Sequence, residues 1–144
     1  MDYYKVWTDG ASRKDGQGGY GAVILSAHER VEVRGYSPKT TNNRMELWAV
    51  VQALHCIDGE RNTITIYSDS QYVVNGSVWV YGWRKAGWIN TAGPVKNQDI
   101  WEHLLSLVER HTKVTFEWVR GHNGDVNNER ADQLATEAIA SKGA

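Results

Sequence analysis

The chain reads as an α/β domain. Two strand-like runs that end in nearly the same residues, and the helix-patterned segment between them, point there. Tyr3-Tyr4-Lys5-Val6-Trp7 and Thr63-Ile64-Thr65-Ile66-Tyr67 are rich in β-formers. The first run closes on Trp7-Thr8-Asp9-Gly10 and the second on Tyr67-Ser68-Asp69-Ser70. If these strands lie side by side and parallel, Asp9 and Asp69 meet at their C-terminal ends, the edge where open α/β sheets bind ligands. Carboxylates held close together repel, which raises a pKa unless a cation neutralises them. A metal site is therefore the first expectation, and the remaining elements must supply its other ligands.

At 144 residues the chain is expected to form one domain with a core that needs no staples. Its single cysteine, Cys56, excludes an internal disulfide framework and fits a reducing compartment. The N-terminus lacks the basic-then-apolar pattern of a signal peptide, and no apolar run is long enough to span a bilayer. A cytoplasmic protein is expected. A formal net charge of −1 argues against nucleic-acid affinity from bulk positive charge, though a local basic patch remains open.

Gly16-Gln17-Gly18-Gly19-Tyr20-Gly21 reads as a turn into a second strand, Ala22-Val23-Ile24-Leu25. The Lys-Ser/Thr of a phosphate-binding P-loop is absent. Glu32 to Tyr36 forms a third strand, joined to the second as a hairpin. Thr40-Thr41-Asn42-Asn43 offers helix-capping side chains, and the helix that follows should run to Ile57, where Asp58-Gly59 stops it. Its sheet-facing stripe is Glu46, Ala49, Val50, Ala53 and Ile57. The helix dipole favours an acid in this region but does not explain why Glu46 faces inward.

After Asp69, residues Ser70 to Val74 begin a short helix, followed by an aromatic segment with Trp79, Trp83 and Trp88 and a loop with Pro94-Val95-Lys96. Trp79 and Trp83 share a helical face. They read equally as a satellite core or, with Arg84, Lys85 and Lys96 beside them, as a nucleic-acid groove. Asn97 should cap a helix from Asp99 to about Arg110. A fifth strand, Lys113 to Val119, and a loop, Arg120-Gly121-His122-Asn123-Gly124, lead to a last helix capped at Asp125. Asp132 lies on the edge of that helix's apolar face.

Asp9, Glu46, Asp69 and Asp132 thus come from four different elements. All-oxygen ligands suit hard cations such as Mg²⁺ or Mn²⁺, whereas zinc would want His or Cys. Four acids suit a pair of ions about 4 Å apart, the arrangement used for in-line attack on a phosphodiester. His122, which alone would read as an exposed loop residue, could position the water or take a proton.

The motifs Thr8-Asp9-Gly10-Ala11, Thr41-Asn42-Asn43-Arg44-Met45-Glu46-Leu47, Tyr67-Ser68-Asp69-Ser70-Gln71-Tyr72-Val73 and Gly121-His122 with Asn128-Glu129-Arg130-Ala131-Asp132 closely resemble type 1 ribonuclease H. The resemblance covers nearly the whole chain. It implies a ribonuclease H-like α/β fold, a five-stranded mixed sheet flanked by helices. It also implies metal-dependent cleavage of the RNA strand of an RNA–DNA hybrid, with Mg²⁺ as cofactor (Mn²⁺ possible) and two ions per site. Products would carry 5′-phosphate and 3′-hydroxyl ends. Asp9, Glu46, Asp69 and Asp132 become metal ligands, and His122 an auxiliary catalytic residue.

The resemblance further implies hybrid contacts from Asn42, Asn43 and Gln71 in the minor groove and at the 2′-hydroxyls that mark the RNA strand. Gly10 and Ala11 would offer backbone groups to the RNA, and Thr41 would hold a DNA phosphate. The insert, about residues 77–97, resembles the family's handle for the DNA strand, bringing Trp79, Trp83, Arg84, Lys85 and Lys96 to it. A single catalytic domain acting as a monomer is expected, with no hybrid-binding domain before Met1.

The chain departs from the family pattern twice. The loop from Arg13 to Gly18 is short and lacks the usual asparagine and prolines. The handle carries few cations, which implies weaker and less salt-sensitive binding than in basic-handle relatives, because fewer phosphate contacts release fewer counterions. A salt titration of hybrid affinity checks this, and a steep slope would refute it. A DNA-strand nuclease or transposase-like enzyme of the same fold is the competing reading, and a non-catalytic hybrid-binding module a third. Asn42, Asn43 and Gln71 favour the hybrid-cleaving enzyme.

Overall fold

The computed structural model describes residues 2–121 and 124–142. The first three strands are β1 (Tyr3–Ser12), β2 (Gly18–Leu25) and β3 (Arg30–Ser37). Helix α1 (Asn42–His55) and strand β4 (Thr63–Ser68) come next, then α2 (Gln71–Lys85). A two-residue ladder, β5 (Ile89–Asn90) and β6 (Gly93–Pro94), precedes α3 (Gln98–Val108), β7 (Lys113–Trp118) and α4 (Val126–Ser141). The main sheet has five strands in the order β3-β2-β1-β4-β7. β2 is antiparallel to both β1 and β3, and β4 is parallel to both β1 and β7.

The parallel pairing of β1 and β4 places Trp7 opposite Tyr67 and Thr8 opposite Ser68, so Asp9 and Asp69 follow side by side at the same edge. Alternation along the strands gives each face its own core. Val6, Ala22, Ile24, Ile64 and Ile66 pack with Leu47, Val50 and Leu54 of α1 and Trp101 and Leu104 of α3. Burying each such aliphatic side chain stabilises by about 1.5–3 kcal/mol. On the opposite face, Trp7 and Val23 pack against Ala131 and Leu134 of α4. Trp7 also stacks on Tyr67, with ring centroids 5.0 Å apart. Every residue of the expected α1 stripe, Glu46 included, is buried, but the helix stops at His55 rather than Ile57, with Cys56 at its C-cap and Ile57 beyond it.

Three local expectations are corrected. Gly18, Gly19 and Gly21 lie within β2 rather than in a turn, and only Gly16, at φ +92°, turns the chain there. A methyl on Gly19 would overlap the carbonyl oxygen of Ala135, and one on Gly21 that of Ala131. These glycines let α4 lie directly on the strand's backbone. The helix after Asp69 is not short: α2 runs on through Trp79 and Trp83 to Lys85, and its Gly76 leaves the hole that receives the fully buried Trp101 ring. Asn97 stands at the N-cap position of α3 in left-handed geometry (φ +62°) and makes no capping bond with its side chain.

Candidate active site

Asp9 follows Trp7 by two residues on β1 and so faces the α4 side of the sheet. It is 5% exposed, and the Gly10 N–H donates to its Oδ1 at 2.9 Å. Gly10 faces the other way, under α1. A methyl there would overlap Glu46 N and Met45 C, so the absence of a side chain lets the first turn of α1 rest on the strand. Thr41 starts that turn by accepting from the Arg44 N–H at 3.3 Å. The close approach brings the Glu46 carboxyl over Gly10 to Asp9.

Asp69 is fixed from several sides as the chain leaves β4. The Trp118 indole N–H donates to its carbonyl at 3.2 Å, and the Val119 N–H donates to the Ser68 carbonyl at 2.9 Å. The Ser68 hydroxyl accepts from the Ser70 N–H at 3.0 Å. Ser70 then caps α2 by accepting from the Val73 N–H. Gly121 passes so near that a methyl on it would lie 3.0 Å from Asp69 Oδ2.

One oxygen each from Asp9, Glu46 and Asp69 lie within 4.8 Å of one another. Asp132, half-buried on α4, stands next to Asp9 but outside this tight group. α4 is set in place by Asp125, which accepts from the Asn127 and Asn128 N–H groups at 3.0 Å and from the Trp7 indole at 3.3 Å. His122 lies outside the described residues.

The electrostatics ask for a cation. Asp9 is pushed far above the carboxylate range, first by burial, then by the charges of Glu46 and Asp69, then by the hydrogen bond and charge of Asp132. Glu46 is raised by burial and by the charge of Asp69, against the bonds it receives from Asp9 and Gly10. Glu46 Oε1 is buried with no hydrogen-bond partner among the described residues. An orphaned buried acceptor costs free energy, and here it sits among acids that cannot all ionise in isolation. A hard divalent cation would satisfy both, so the residues fit the metal that the sequence called for.

The proposed nucleic-acid residues flank this cluster unevenly. Asn42 and Asn43 are exposed in the first turn of α1, and Gln71 is exposed at the start of α2. Gly10 is buried and Ala11 half-buried. Trp79 is 57% exposed and Trp83 half-buried, with ring centroids 6.3 Å apart. They line a cleft of about 220 Å³ with Tyr72, Pro94, Val95 and Lys96. Trp83 also meets Trp101 edge-on, so it belongs to the core as the satellite-core reading expects, whereas Trp79 stands at the surface. Arg84 does not join the cleft. Glu109 holds both of its terminal nitrogens, at 3.0 and 3.3 Å, and its guanidinium lies over Tyr81. Lys85 is exposed.

Sequence reading missed the group that ties the handle to α1. Arg44 forms a two-point pair with Asp99, at 3.1 and 2.8 Å, and also donates to Asn97 Oδ1 at 3.3 Å. Asn97 and the Trp101 indole both donate to the Tyr72 hydroxyl, at 3.0 and 3.1 Å. Planar bidentate pairing of this kind fixes orientation as well as adding energy. It ties the first turn of α1 to the start of α3 and, through Asn97, to Tyr72 of α2.

The RNase H family model matches residues 1–140. Ribonuclease H of Cupriavidus pinatubonensis is 47% identical over 140 residues, covering 94% of each chain. Ribonuclease H of Erythrobacter litoralis is 45% identical over 141 residues, covering 96% of each. Among solved structures, LC9-RNase H1, a type 1 RNase H with the type 2 active-site motif, superposes with a TM-score of 0.88 at 32% identity. The match covers 98% of this chain and 74% of that one. Sheet order, acidic cluster and these likenesses agree: the chain belongs to the ribonuclease H family.

Proposed function

We propose that this ribonuclease H cuts the RNA strand of RNA–DNA hybrids with two divalent cations, Mg²⁺ or Mn²⁺, held by Asp9, Glu46, Asp69 and Asp132. The products carry 5′-phosphate and 3′-hydroxyl ends. The observation that carries the reading is the meeting of three carboxylates from β1, α1 and the end of β4 within 4.8 Å. Bound there, the cations would lower the pKa of an attacking water and neutralise charge on the leaving oxygen.

Burial and mutual repulsion favour the protonated forms of Asp9 and Glu46 in the absence of metal, and bound cations would displace those protons. In this reading Asn42, Asn43 and Gln71, all exposed, contact the hybrid's minor groove and its 2′-hydroxyls, and Thr41 a DNA phosphate. Gly10 and Ala11 present backbone toward the RNA. Trp79, Trp83, Lys85 and Lys96 take the DNA strand. The commitment of Arg84 to Glu109 supports modest, weakly salt-dependent binding. His122 positions the water or accepts a proton. We read residues 1–144 as one catalytic domain with a handle at about 77–97, acting as a cytoplasmic monomer. Among the described residues no helix is long and apolar enough to cross a membrane.

The test is cleavage of labelled hybrid, double-stranded RNA and double-stranded DNA, with and without a chelator. Only the hybrid should be cut, on its RNA strand, and EDTA should stop the reaction. Asp69→Asn should lower the rate by roughly a thousandfold or more, about 4 kcal/mol of barrier, with the circular dichroism spectrum unchanged. Substantial activity in that variant, or turnover in EDTA, would refute the assignment.

A further inference from the structure

Behind the sheet, away from the acidic cluster, two histidines face each other across the packed pair α1 and α3. His55 is exposed on the last turn of α1, and His103 is half-buried in the middle of α3. Their Nε2 atoms are 2.9 Å apart, with ring centroids at 5.0 Å and planes crossed at 74°. Two imidazolium ions cannot sit Nε2 to Nε2 at this distance, so at least one ring is neutral and a single proton lies between the nitrogens. Burial, and then the charges of His103 and Arg110, hold His55 below the usual imidazole range.

Neutral imidazole is the most common metal-ligating side chain. Two nitrogens about 2.9 Å apart are also the spacing of neighbouring corners around an ion with bonds of about 2.0–2.1 Å. That corresponds to an angle of about 90°, whereas tetrahedral zinc would spread them to about 3.3 Å. An ion would take the place of the shared proton, with the exposed His55 ring tilting so that both lone pairs face it. Right-angled nitrogen ligands suit the tetragonal ions Cu²⁺ and Ni²⁺, and Cu²⁺ binds nitrogen ligands most strongly of the divalent series. Among the described residues no third His, Cys, Asp or Glu completes the group, which leaves the remaining positions to water. The Trp48 ring meets His103 edge-on, centroids 5.8 Å apart, and lies within quenching distance of anything the pair binds.

We propose that His55 and His103 form a surface site for one tetragonal transition-metal ion, Cu²⁺ in preference to Zn²⁺, that clamps α1 to α3. The site is separate from the carboxylate cluster in position and in ligand chemistry, and hybrid cleavage does not require it.

The experiment titrates CuCl₂, and separately ZnCl₂, into untagged protein in a non-chelating buffer containing millimolar Mg²⁺ to occupy the carboxylates. Tryptophan fluorescence and melting temperature are the readouts. One Cu²⁺ per chain should bind at micromolar concentration or tighter, quench Trp48, raise the melting temperature and be reversed by EDTA; Zn²⁺ should bind at least tenfold more weakly. His55→Asn and His103→Asn should each weaken Cu²⁺ at least tenfold while leaving Mg²⁺-dependent hybrid cleavage unchanged. Trp48→Phe should remove most of the quenching and keep the rise in melting temperature. His55 is exposed, so its variant folds and keeps the test decisive even if His103→Asn does not. Cu²⁺ affinity unchanged in His55→Asn, no binding below millimolar Cu²⁺, or Zn²⁺ binding as tight as Cu²⁺, would overturn the proposal.

Discussion

Replacing Asp9 by asparagine is expected to abolish hybrid cleavage and, at the same time, to make the metal-free protein more stable. The two effects share one cause. Asp9 is 5% exposed and sits within 4.8 Å of oxygens from Glu46 and Asp69. Like charges at 4–5 Å repel by roughly 3–4 kcal/mol at an effective dielectric of about 20. Asp9 is raised from 3.8 to about 10 and Glu46 from 4.5 to about 8. Between those values the folded protein holds protons that the unfolded chain has released. The contribution of this pair to stability is therefore fullest below about pH 4 and is lost as pH rises toward 8–10.

Asparagine keeps the shape and cannot ionise. Asp9→Asn should gain about 1–3 kcal/mol near pH 8, or several degrees in melting temperature for a chain of this length, and flatten the decline with pH. Thermal melts in EDTA from pH 4 to 9 measure this. A variant less stable than the parent at every pH would show that the carboxylates are not in conflict. The loss of cleavage should be at least as deep as for Asp69→Asn, because Asp9 stands between Glu46, Asp69 and Asp132.

The second large effect is expected at Gly10. Its substitution by alanine puts a methyl into the backbone of Met45 and Glu46, which unlike a flexible side chain cannot swing aside. α1 must move off β1 at a cost of about 1–3 kcal/mol or more, and Glu46 moves with it. Gly10→Ala should therefore lower the urea midpoint and cut the cleavage rate at least tenfold. Gly82→Ala is the matched control, since a methyl there meets nothing within 4 Å on an exposed stretch of α2. It should raise stability by about 0.5–1 kcal/mol through helix propensity and leave cleavage alone. Equal stability losses in the two variants would mean that close packing of α1 on β1 is not what Gly10 provides.

The features legible in the sequence are those set by local periodicity. The β-formers of Tyr3 to Trp7 and Thr63 to Tyr67 announced two strands running into Asp9 and Asp69, and those strands pair in parallel. β4 does stop at Ser68, but β1 does not close at the Asp9-Gly10 pair, because pairing with β2 carries it on to Ser12. Glu46 announced itself as the one acid on an apolar stripe with helical spacing. Features set by distant partners were hidden. Gly19 and Gly21 look like turn glycines until α4, more than a hundred residues later, is laid on them. Gly76 gives no sign in the sequence that Trp101 fills the space beside it. Arg84 reads as a phosphate contact, and only the fold shows Glu109 already holding it. Asn97 has the right residue type and place for a cap, but its side chain is committed to Arg44 and Tyr72. The pairing of His55 with His103 had no sequence signal, since neither residue carries the partner's position.

Hybrid cleavage as proposed requires Asp9, Glu46 and Asp69 to act as one cation-binding unit, and the carboxyl ¹³C resonances of these three residues report on it directly. Titrating Mg²⁺ into the metal-free protein at pH 7 should shift all three with a common midpoint. It should also release protons from Asp9 and Glu46, moving their titrations down toward the ordinary carboxylate range. Three resonances responding at unrelated concentrations, or an Asp9 still protonated at saturating Mg²⁺, would contradict it.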